Sequence, residues 1–123
     1  MEIPELAELI WLFEGEPESQ HEDLHWPLGL HSFRLSRGAT AVLFSIDPTA
    51  GEAYISLYAD EEEIAYLRRL RPLGRLSVER HQQDYEGLTL WIRDSEEPVR
   101  LQTKPSIRLS WDLKGLGEAR PLV

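Results

Sequence analysis

The sequence predicts an α+β fold: one domain built mainly on an antiparallel sheet of about six to seven strands, with an N-terminal helix and one mid-chain helix. Three observations carry this. Apolar residues recur at helical spacing at Leu6, Leu9, Ile10 and Phe13, and again at Ile64, Leu67 and Leu70. Elsewhere the pattern alternates with period two, and the alternating segments come in runs with short turns between them. A length of 123 residues with 41% hydrophobic content suits a single core, so residues 1–123 are read as one domain.

Pro4 suits the first turn of a helix, where its missing N–H costs nothing. Glu5 and Glu8 complement the positive end, and Glu14-Gly15 with Pro17 beyond marks the stop. The stretch Leu9–Phe13 is apolar all round, so Trp11 or Leu12 must face something other than the sheet. Three strands follow as a meander: His31 to Ser36, Thr40 to Ile46 and Glu52 to Tyr58, with turns at Arg37-Gly38 and Asp47–Gly51. Asp60 then reads as an N-cap with Glu63 as its capping-box partner, and Arg68, Arg69 and Arg71 before Pro72 read as the end of the second helix. Four strands complete the chain: Arg75 to His81, Leu88 to Ile92, Val99 to Thr103 and Ser106 to Trp111, with a turn expected at Asp84–Gly87. Residues 115–123, with two glycines and a proline, read as a loosely attached tail. The polar face opposite the helices is expected to collect Arg34, Arg80, Arg93, Arg100 and Arg108.

Composition excludes several function classes. There is no cysteine, which rules out disulfides, thiolate nucleophiles and Cys-ligated metals. The start of the chain shows no signal peptide, and the longest apolar run is far short of the roughly 20 residues that span a membrane. The expectation is a cytoplasmic protein with no membrane partner. Net charge is −9, and it is unevenly placed. Residues 1–30 hold eight acids and no Lys or Arg; the rest holds fourteen acids against thirteen bases. Such a balance disfavours nucleic acid, whose binding rests on phosphate neutralisation, and favours a basic protein partner.

One stretch gathers groups that do chemistry: His21-Glu22-Asp23-Leu24-His25-Trp26-Pro27-Leu28-Gly29-Leu30-His31. His21, Glu22 and His25 match the H-E-x-x-H pattern, and His31 stands where a third histidine follows six residues on. Over these eleven residues the chain resembles the metzincin zinc proteases. The resemblance implies Zn²⁺ as cofactor, His21, His25 and His31 as its ligands, and Glu22 as the catalytic base. Leu28 holds the position of the family's glycine, and Pro27 interrupts the segment. Ser19 and Glu22 could instead form a capping box on a helix of two turns at most. There is no dinucleotide fingerprint, phosphate loop or nucleophile elbow.

Two readings of different class follow. The first is a non-enzymatic, cofactor-free protein-binding domain, an inhibitor, an immunity-like protein or a subunit of an assembly. It would meet a basic partner through Trp11, Phe13, Glu14, Glu16, Glu18 and Trp26, or self-associate with its arginine face against its acidic segment. The second is a small zinc-dependent hydrolase using the His21–His31 stretch. A groove walled by Trp91, Tyr54 and Tyr58 is a third, with no ligand specified.

Overall fold

The computed structural model describes residues 2–20, 23–81, 85–93 and 97–111. Its elements run as a helix Leu6–Phe13 (α1), then strands Glu18–Ser19 (β1), His31–Arg37 (β2), Thr40–Asp47 (β3), Glu52–Ala59 (β4), Glu62–Leu70 (β5), Leu73–His81 (β6), Tyr85–Ile92 (β7), Val99–Lys104 (β8) and Arg108–Ser110 (β9). All strand pairs are antiparallel, in two sheets of order β1-β2-β3-β4-β5 and β6-β7-β8-β9. The antiparallel character, the meander and the N-terminal helix are as the sequence predicts. A single sheet and a second helix are not what forms. The expected tail, residues 115–123, lies outside the described residues.

The segment expected to be the mid-chain helix is β5. Asp60 and Glu61 take positive φ (51° and 68°), and Ala59 pairs directly with Glu62. Positive φ at both central residues of a two-residue loop is the type I′ geometry whose twist suits a hairpin. The acid that reads as an N-cap therefore starts a turn. Beyond it, Ala65, Leu67 and Leu70 face inward opposite Leu57, Ile55 and Ala53, while Ile64 and Tyr66 face solvent. The spacing that reads as a helical stripe is a strand broken by two irregularities. At one of them Arg68 and Arg69 together stand opposite the single residue Tyr54. Bulges and charges blunt β5 as a free edge.

Each sheet turns one face inward. Phe33, Leu35, Val42, Phe44, Ile46, Ala53 and Ile55 come from the first sheet, and Leu76, Leu88, Leu90, Val99 and Leu101 from the second. Leu9, Leu12 and Phe13 of α1 join the same apolar cluster, and Phe13 stacks on Phe33 and Phe44 at 5.3 and 5.6 Å between centroids. The inward faces of both sheets share one apolar cluster with α1, which leaves little for a second helix to bury among the described residues.

The helix stops where predicted. Glu14 adopts the left-handed conformation, and the Gly15 N–H donates to the Ile10 carbonyl at 3.1 Å, the Schellman arrangement. The Glu14 carboxylate then accepts from Arg37 at the end of β2, whose Nε also donates to the Thr103 carbonyl of β8 at 3.0 Å. One guanidinium thus ties helix, first sheet and second sheet together. Nor do the expected arginines share one face. Arg34 lies on the outer face of the first sheet and Arg100 and Arg108 on that of the second. Arg80 points to the helix side, its guanidinium 3.8 Å from the Trp11 ring centroid.

Candidate functional site

The stretch between β1 and β2 forms the joint of the fold. β1 pairs with the start of β2, Glu18 opposite Ser32 and Ser19 opposite His31, and the Gln20 N–H extends the pairing to the Leu30 carbonyl at 3.0 Å. Ser19 is therefore a strand residue and caps no helix. Between these lines the chain turns sharply: the Leu28 N–H donates to the His25 carbonyl at 2.8 Å around a cis Trp26–Pro27 bond. Residues 23–30 contain no helical turn. The helix that would present two histidines from one face is thus missing from the described part of the motif. His21 and Glu22 lie outside the described residues.

His31 begins a strand on its inward face and is 3% exposed. Its Nε2 lies 2.6 Å from the Leu28 carbonyl oxygen and its Nδ1 2.7 Å from Ser19 Oγ. A carbonyl only accepts, so Nε2 carries the hydrogen, and Nδ1 accepts from the serine hydroxyl. Both ring nitrogens are engaged, and neither has a lone pair free for a metal. Trp26 meets the His31 ring edge-on at 5.4 Å between centroids, and its indole N–H donates to the Pro4 carbonyl at 3.3 Å. His25 is exposed. Among the described residues, no three His, Asp or Glu side chains are placed to hold a metal ion.

An open cleft of about 470 Å³ lies beside this joint. Leu6, Pro17, Leu24 and Trp26 give it apolar walls; Glu18, Ser19, His25 and His31 supply its polar groups. The remaining candidate contact residues divide. Trp11 is 43% exposed and shares its ring with Arg80; Glu14, Glu16 and Glu18 are exposed, with Glu14 paired to Arg37. Phe13 is 2% exposed inside the aromatic stack, so a partner cannot reach it. Its place at the end of an all-apolar run hid which side of the helix was inward.

The expected groove does not form either. Tyr54 and Tyr58 stand on the outer face of the first sheet and Trp91 on that of the second. Missed by the sequence reading are Ile64 and Tyr66, 41% and 51% exposed on β5. A strand reading of β5, with Ala65 and Leu67 alternating against them, would have found them. Tyr54 donates its hydroxyl to Glu52 at 2.8 Å, which raises its pKa above the ordinary value, with burial adding to the shift. Among the described residues, no helix is long and apolar enough to cross a membrane.

No protein-family model matches this sequence, and no curated protein matches it. The fold is similar to that of a chain in a solved contact-dependent growth inhibition toxin–immunity protein complex from Klebsiella pneumoniae 342. The TM-score is 0.72 at 19% identity, over 89% of this chain and 93% of that one. At that identity the likeness is one of fold.

Proposed function

We propose that this chain is an immunity-type protein-binding domain, which acts by occupying the surface of a toxic protein partner. The observation that carries the reading is the likeness in fold, across nearly the whole of both chains, to a chain of a toxin–immunity protein complex. Three features of this chain favour the immunity side of such a pair. There is no cysteine, phosphate loop or nucleophile elbow in its sequence. The buried His31 spends both ring nitrogens on the joint between β1 and β2. Eight of its acids fall in the first thirty residues, with no base among them.

The partner in this proposal is a basic protein. Glu14, Glu16 and Glu18 steer its approach electrostatically, and Trp11 on α1 and Trp26 on the wall of the 470 Å³ cleft supply aromatic anchors. The zinc-hydrolase reading is the weaker one. It needs His31 as a ligand, and that ring would first have to give up Ser19 or Leu28.

The test is co-expression with the products of neighbouring genes, followed by affinity capture at low and high salt. The expected result is a basic partner that is toxic alone, is neutralised by this chain, and dissociates as salt rises. Glu16→Lys/Glu18→Lys should weaken capture at least tenfold at low salt. A toxic partner held equally at all salt concentrations would overturn the charge argument, and capture without neutralisation would overturn the immunity reading.

A further inference from the structure

The cleft beside the joint is poor in free hydrogen-bond donors. Of the side chains lining it, Trp26 gives its indole N–H to the Pro4 carbonyl and His31 gives its Nε2–H to the Leu28 carbonyl. Ser19 gives its one hydroxyl hydrogen to His31 Nδ1, so its Oγ has only lone pairs left to offer. Glu18, beside it on the edge strand β1, is exposed, and an ionised carboxylate only accepts. Its register opposite Ser32 turns its side chain to the other face of β1 from Ser19, so the cleft feels its charge at the rim. Of these lining side chains, only the exposed His25 keeps a ring N–H with no acceptor among the described residues.

Charge and shape narrow the occupant further. The described lining residues run from Leu6 to His31, and residues 1–30 hold eight acids and no Lys or Arg. Leu6, Pro17, Leu24 and Trp26 form half-buried apolar walls. A volume of about 470 Å³ lies within the range of roughly 300–1,000 Å³ that encloses a small organic group. The complementary group has a hydrocarbon stem, a positive charge and several donors. A carboxylate or phosphate would meet negative charge and few donors. Lysine supplies the stem and the charge. Arginine adds five N–H groups in a planar fork and a guanidinium that packs on aromatic rings. The chain already makes that contact once, with the Arg80 guanidinium 3.8 Å from the Trp11 ring centroid.

We propose that the cleft is a socket for one arginine side chain of the toxic partner. Its guanidinium lies against Trp26 and donates to Ser19 Oγ, under the negative charge of Glu18. The source of the arginine rests on the immunity reading above; the chemistry of the socket rests on the cleft alone. Arginine is among the side chains that dominate binding energy when buried at an interface. The acidic segment then does more than steer the partner: it builds the pocket in which one of the partner's cations is held.

The indole N–H resonance of Trp26 reports the test. The probe is Nα-acetyl-arginine amide, which carries no backbone charge, titrated into the chain at constant ionic strength. The expected result is a saturable shift with a dissociation constant on the order of 1–10 mM, as suits a single side chain. The citrulline analogue, of equal length and uncharged, should bind at least tenfold more weakly. Glu18→Gln should weaken arginine at least threefold. Glu61→Gln, in the loop between β4 and β5 at the opposite edge of the sheet, should not. Glu18 and Glu61 are both exposed, and circular dichroism checks that both variants are folded. No shift with arginine overturns the proposal, as do equal binding of arginine and citrulline or equal losses in the two glutamate variants. Free arginine bound at least tenfold more tightly than the amide would make the occupant a small metabolite, and overturns it too. In the complex with the captured partner, the probe should no longer move the Trp26 resonance; a resonance that still responds shows a socket the partner leaves empty, and refutes its role. Failure of the probe to bind leaves the immunity reading standing, and failure of partner capture leaves arginine binding by the free chain standing.

Discussion

The Nε2–H of His31 donates to the carbonyl oxygen of Leu28 across 2.6 Å, and this bond decides what the ring is for. It sets the tautomer, points Nδ1 at Ser19, and makes the histidine a clamp between β1, β2 and the turn that joins them. His31→Ala should lower stability by about 2–3 kcal/mol, since it removes a buried ring and strands a carbonyl. Ser19→Ala should cost about 1 kcal/mol, because it removes one part-buried hydrogen bond from an otherwise exposed residue. Equimolar Zn²⁺ should leave the melting temperature unchanged. A zinc-dependent rise that disappears in His31→Ala would refute the clamp and restore the metal site.

Gly87 occupies the closest backbone approach among the described glycines. A Cβ there would stand 2.7 Å from the Leu101 carbonyl oxygen and 3.3 Å from the Gln102 Cα, both backbone atoms of β8. Neither can swing aside as a side-chain tip would. Gly87→Ala should cost about 1–3 kcal/mol by overpacking. Gly74→Ala, whose added carbon meets only the Trp91 carbonyl at 3.5 Å, should cost clearly less. Urea midpoints of the two variants compare them directly, and equal losses would contradict the close approach.

What the sequence disclosed, and what it hid, follows from the range of each signal. The meander His31–Tyr58 was legible because alternation and turn residues are local, and β2, β3 and β4 lie within one or two residues of their predicted bounds. The first helix and its stop at Glu14-Gly15 were legible for the same reason. The division into two sheets was not, since pairing is set by contacts far apart in sequence, such as Arg37 to Thr103. At the joint, three histidines close together read as a site. That His31 is a satisfied core residue depended on Ser19 and Leu28 being brought to it by strand pairing, which no spacing records.

Tyr54 gives the pH dependence a sign. Its hydroxyl hydrogen bond to the Glu52 carboxylate raises its pKa, with burial and the charge of Glu52 acting in the same direction and Arg69 opposing them. The folded state therefore holds the phenolic proton more tightly than the unfolded chain, whose value is near 10.0. The stabilisation is fully present below pH 10.0 and is lost as pH rises through the higher folded value. Ultraviolet titration of the natural chain against Tyr54→Phe isolates this one phenol. Its midpoint should lie above 10.0 and move down in Glu52→Gln. A midpoint unmoved by Glu52→Gln would show that the carboxylate is not the cause.

The Asp60-Glu61 loop offers the sharpest separation between the helix that the sequence suggests and the strand that forms. In a helix, both acids would sit in or beside the first turn, favoured by its dipole, and a glycine there would destabilise it. In the hairpin, both residues hold positive φ, at 51° and 68°, where a side chain is strained and glycine is not. Glycine also gives the unfolded chain more freedom, which offsets part of the relief. The net effect of Glu61→Gly should be a gain of about 0.5–1 kcal/mol, with Asp60→Asn/Glu61→Gly at least as favourable because Asn-Gly is the preferred type I′ pair. Glu61→Val, which cannot accept that φ cheaply, should lose stability instead. The urea midpoint should rise in the first two variants and fall in the third; a fall with Glu61→Gly would mean that the segment after Ala59 is not paired as β5.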